Sequence, residues 1–89
     1  MGRMMVVFEV HLAPGADPTQ LLSDEIVRQT QAQVMTLEQA KKVGFGGLPE
    51  PPAGMEMRLI AVAKRDAEWI RRTLEVNDAC GRFKVHEVE

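Results

Sequence analysis

Two histidines, one cysteine and a glycine cluster are the places where this chain could do chemistry. An imidazole titrates near neutrality, and a carboxylate beside it orients the ring and raises its basicity. His11 lies in an apolar segment near the start, and the carboxylate expected across from it is Glu56. His11 and Glu56 are therefore the candidate acid–base pair. His86 is expected six residue steps away on a neighbouring strand, roughly 20 Å at ~3.3 Å per step. The two histidines are not expected to share a metal, and no cofactor is expected. Cys80 follows Asn77-Asp78-Ala79 at the expected end of a helix, where the helix dipole disfavours a thiolate. It reads as a small structural residue. Gly44-Phe45-Gly46-Gly47 lacks the Gly-Lys-Ser/Thr ending of a phosphate loop. It reads as a helix C-cap followed by a loop, and Phe45 on that loop is a candidate contact residue.

Composition narrows the classes. Eighty-nine residues make one domain, 1–89, with a small core. The lone cysteine permits no internal disulfide, which leaves oligomerisation as a common means of support. A formal charge of −2 with interspersed signs argues against nucleic-acid binding. No segment reaches membrane-spanning length, and the Met4–Phe8 run is too short for a signal core. A cytoplasmic protein is expected.

The elements follow from periodicity. Met4 to Leu12 reads as a strand whose even positions are all apolar. Asp17-Pro18 opens a helix. Leu22, Ile26, Thr30, Val34 and Leu37 continue helical spacing toward Val43. A straight helix of that length would span roughly 39 Å, longer than a small domain is wide. A bend or break is expected between Gln31 and Thr36, where Thr36 and Gln39 have capping-box spacing. The alternative is a short strand over Gln33–Leu37. After the Phe45–Gly54 loop, Met55–Lys64 alternates as a strand. Asp66 opens a helix carrying Ala67, Ile70 and Leu74, and Gly81 closes it. Arg82–Val88 is the last strand.

The pattern predicts a ferredoxin-like α+β fold, a split β-α-β with strand order 4-1-3-2, a degenerate second strand and two helices on one face. Opposing unlike charges sets the register: Glu9 against Arg58, His11 against Glu56, Val7 against Ile60 and Met5 against Val62. Leu59 and Ala61 then face the helices with Phe8. The open face holds Met5, Val7, Ile60 and Val62, rimmed by Glu9, Arg58, Lys84 and His86. An apolar patch with a polar rim suggests a second copy as its cover. Trp69 flanks the stripe of its helix and is a further candidate contact.

The Val6-Val7-Phe8-Glu9-Val10-His11-Leu12-Ala13-Pro14 strand, the long polar helix and the Phe83–Val88 ending resemble the dimeric α+β barrel group, which includes muconolactone isomerases and YciI-like proteins. The resemblance implies a ferredoxin-like dimer. The Trp-Arg segment of the isomerases is replaced by Gly-Phe-Gly-Gly-Leu-Pro-Glu, so no catalytic residue carries over. Two function classes fit. The favoured one is a small homo-oligomeric binding or protein-interaction module without catalysis. Its partner would be a second copy, another protein or a small ligand, not nucleic acid or a membrane. The other is a cofactor-free enzyme using His11 and Glu56.

Overall fold

The first apolar segment forms β1, Met5–Leu12, and every residue of it except Met5 is buried. Such a strand must be covered on both faces and paired on both edges. The computed structural model describes residues 5–44 and 56–88. Met4, Met55 and residues 45–54, with Phe45 and the expected loop, lie outside the described residues. β1 pairs with β3, Met57–Ala63, on one side and with β4, Cys80–Val88, on the other. A three-residue strand, β2, Gln33–Met35, pairs with the far edge of β3. All pairings are antiparallel and the order is β2-β3-β1-β4. This is the α+β architecture and strand order expected from the sequence. The second strand comes from the Gln33–Leu37 alternative.

The expected long helix is cut in two by that strand. Asp17 caps a 3-10 turn over Pro18–Gln20, its carboxylate accepting from the Thr19 N–H. Ser23 then caps α1, Asp24–Thr30. The Thr30 hydroxyl ends α1 by donating to the Ile26 carbonyl at 2.7 Å and accepting from the Ala32 N–H at 3.2 Å. Gln31 takes a left-handed conformation, φ 56°, which turns the chain into β2. Thr36 and Gln39 form the expected capping box and start α2, Leu37–Lys42. After β3, a 3-10 turn over Lys64–Asp66 leads into α3, Ala67–Glu75. Gly81 does not close this helix. The helix ends at Val76, and Asn77 then ties it down by donating to the Gln20 and Leu21 carbonyls, each at 2.9 Å. Gly81 lies inside β4. No helix among the described residues is long and apolar enough to cross a membrane.

Two cores lie on opposite faces of the sheet. Val6, Phe8, Val10, Ile60 and Val62 meet Leu21, Leu22, Ile70 and Leu74 from the segments carrying α1 and α3. Val7, Met57, Leu59 and Ala61 meet Met35, Leu37 and Ala40 from β2 and α2. The observed register sets Glu9 opposite Leu59, Val10 opposite Arg58 and Phe8 opposite Ile60. It differs by one residue from the charge-paired register. Phe8 and Leu59 consequently lie on opposite faces, and Ile60 and Val62 leave the open face for the helix-side core. Magnitudes explain the outcome. A cross-strand ion pair contributes ~0.2–1 kcal/mol, whereas fully burying an Ile or Val contributes ~1.5–3 kcal/mol. The larger β-branched pair takes the face covered by the segments carrying α1 and α3, and Leu59 and Ala61 are buried in turn by β2 and α2.

Ile60 has no solvent exposure in a single chain. Ile60→Lys should therefore unfold the protein rather than dissociate it, since burying an unpaired ammonium costs several kcal/mol. A urea titration followed by far-UV circular dichroism should show the transition moved to near-zero denaturant. A variant that melts like wild type would place Ile60 at a surface.

Candidate functional site

Glu9 and His11 are two apart on β1 and so share a face. Glu9 is only 2% exposed, and its two oxygens serve two imidazoles. His11 Nε2 lies 2.7 Å from Oε2, and His86 Nε2 lies 3.1 Å from Oε1. The ladder brings His86 there by setting it opposite Val7, with Lys84 opposite Glu9 and Arg82 opposite His11. β4 closes on β1 beside His11 at Gly81, where an added Cβ would come 3.1 Å from the His11 carbonyl oxygen. The absent side chain permits that approach.

Burial pushes the Glu9 carboxyl up. The hydrogen bonds from His11 and His86, with their charge, more than offset this and hold it below the ordinary carboxylate value. An ionised carboxylate only accepts, so each Nε2 must carry the hydrogen. The other ring nitrogen of His11 is Nδ1. That atom is buried and has no hydrogen-bond partner among the described residues.

Several expected site residues stand elsewhere. The expected His11–Glu56 pair does not form, because the Leu12 N–H donates to the Glu56 carbonyl at 3.0 Å and Glu56 takes the parity of Leu12. Its exposed carboxylate lies 3.7 Å from Arg58. The two histidines are not far apart: the true register shortens their offset from six steps to four, and Glu9 reaches both from between them. Ile60 and Val62 are buried in the helix-side core, and Val7 is buried in the opposite one. Met5 is half-buried, and Trp69 is 42% exposed on α3. The basic residues of α3 are engaged locally, Arg71 with Glu68 and Glu75, and Arg72 with Glu68. Cys80 begins β4 instead of ending a helix, and burial pushes its thiol up, away from the thiolate.

Two cavities lie away from the histidines. One, about 410 Å³, is bordered by Leu22, Val27, Val34, Gln39 and Arg58. The other, about 630 Å³, is bordered by Met5, Thr30, Gln33, Ala61 and Lys64. Neither reaches Glu9, His11 or His86. Among the described residues no group of three His, Cys, Asp or Glu side chains is arranged to hold a metal ion.

Beside the cluster, β4 carries Arg82, Lys84 and His86 on one face, with Arg82 and Lys84 exposed. Lys84 is legible in the sequence only as a rim charge, and Arg82 only as a residue of the last strand. The Glu-x-His spacing on a strand signals the contact of Glu9 with His11, whereas His86 reaches Glu9 only through the register of β4. Comparison with protein-family models, curated proteins and solved structures gives no match.

The depressed Glu9 carboxyl has a stability consequence with a definite sign. Its contribution is full above the ordinary value of 4.5 and is lost as pH falls through the lower folded value. Glu9→Gln should cost ~1–3 kcal/mol near pH 7. The gap from wild type should close in acid as the native carboxyl protonates. Thermal melts of both proteins across that range check this. A gap that persists undiminished in acid would show that shape, not charge, is what Glu9 supplies.

Proposed function

We propose that this chain is a small protein-interaction module without catalysis, and that it works through the β4 side of its sheet. The observation that carries this reading is the exposed basic row on an edge strand, with Glu9 fixing its last member, His86. Glu9 is already committed to two imidazoles, and neither cavity reaches them, so the cluster supports the strand and lacks a described space for substrate. A homodimer across the open face would have to use other residues than those first expected, because Val7, Ile60 and Val62 are covered within one chain. A cytoplasmic setting fits the unpaired Cys80.

One observation favours a second reading, a cofactor-free enzyme of the dimeric α+β barrel kind. It is the buried Nδ1 of His11, which has no partner among the described residues. In that reading His11 is the base and Glu9, not Glu56, orients it.

Val85 on β4 is 47% exposed, and Val76 just past α3 is 84% exposed. A photo-crosslinking residue at Val85 should capture a protein in the native cell, and the same residue at Val76 should not. Equal capture at both positions, or none at Val85, would remove β4 as the working surface.

A further inference from the structure

We infer that the outer edge of β4 accepts an extended acidic segment of another protein as an added strand. This rests on the reading of the chain as an interaction module and names its partner class. β4 runs nine residues and has β1 on one side only; among the described residues nothing pairs with its outer edge. An edge of that length presents a row of N–H and C=O groups to an incoming strand. Main-chain hydrogen bonds then supply affinity, and alternate side chains supply selectivity.

From Arg82 to His86 the side chains of β4 alternate in character, and Glu87 beyond them lies 4.0 Å from Lys64. Arg82, Lys84 and His86 share the face that carries Glu9. Phe83 and Val85 point the other way, with Phe83 packed on the helix-side core and Val85 about half exposed. Neighbouring positions on one face are ~6.6 Å apart, two strand steps. A partner strand with Glu or Asp at every second residue would set its carboxylates against the basic row. Its intervening apolar side chains would cover Val85.

The same row disfavours a second copy at this edge. Antiparallel pairing of two β4 strands about a two-fold axis normal to the sheet keeps each face in register with itself. Every alignment that overlaps the basic positions then sets Arg82, Lys84 and His86 against one another. Like charges directly opposite are destabilising. The charge pattern therefore selects a partner unlike this chain.

The test uses fluorescence anisotropy with a labelled peptide in which Val and Glu alternate. Controls are a peptide of the same composition with its glutamates clustered, the alternating peptide with alternate amides N-methylated, and an oligothymidylate of equal charge. The alternating peptide should bind saturably. Each control should bind roughly tenfold more weakly, as should Lys84→Glu, which turns one or two attractive cross-strand pairs repulsive. Lys84 stands opposite Glu9, so that variant loses some stability by like-charge repulsion; Arg82→Glu, exposed and opposite His11, should weaken binding to the same degree while melting like wild type. Equal binding of the clustered peptide or the oligothymidylate would reduce the row to a general anion surface and overturn the proposal. Equal binding of the N-methylated peptide would exclude strand addition. If no peptide binds while Val85 still crosslinks a protein in the cell, the acidic-strand proposal falls and the interaction-module reading stands.

Discussion

β1 is hydrogen-bonded along both edges and packed on both faces, so the parity of its residues decides where every other element can sit. Its even positions draw α3, with Ile70 and Leu74, and Leu22 from the segment before α1 to one side. Its odd positions hand Val7 to a second, smaller core and send Glu9 and His11 toward β4. A slip of one residue against β3 would exchange Ile60 and Val62 for Leu59 and Ala61 beneath the helices. Sheets are unforgiving of such slips because each moves the whole set of side chains to the other face.

The buried Glu9 is the most expensive group in this arrangement. An isolated carboxylate at that depth would protonate. It stays ionised because each oxygen meets a ring nitrogen, so the desolvation that raises its proton affinity is outweighed by two directed hydrogen bonds. The pairing also fixes His86, which has freedom at a sheet edge, and leaves Arg82 and Lys84 as the exposed members of the row. A polar tie between the central and the edge strand thus shapes the chemistry that the edge displays.

What the sequence could reveal follows from how strongly each residue votes. Thr36 and Gln39 announced their capping box, Asp17-Pro18 announced a turn of helix, and the alternation of β1 was plain. Met57 to Ala63 is apolar at every position but Arg58, so its own pattern is silent on which face is which. Choosing by charge then gave the wrong parity, and the Glu56 assignment followed from that choice. Polarity in Gln29–Gln33 marked a break but not its kind. The three-residue strand that fills it is held by β3, a long-range partner that local spacing cannot reveal. Gly81 looked like a helix stop, whereas its smallness serves the contact between β4 and β1 beside His11.

The division of the apolar interior between two faces leaves the molecule unequal in cohesion. α1 and α3 share a continuous layer of large side chains with the centre of the sheet. β2 and α2 depend on three ladder positions, one capping box and the small cluster around Ala40 and Leu59. A six-residue helix is far below the length at which helices persist alone in water. Among the described residues, 33–42 therefore form the unit that opens at least cost, peeling from β3 while the helix-side layer stays shut. Amide hydrogens in α2 will exchange with solvent through that local opening long before those of β1. The protein accordingly has a soft side and a hard side, and the sheet between them is the boundary.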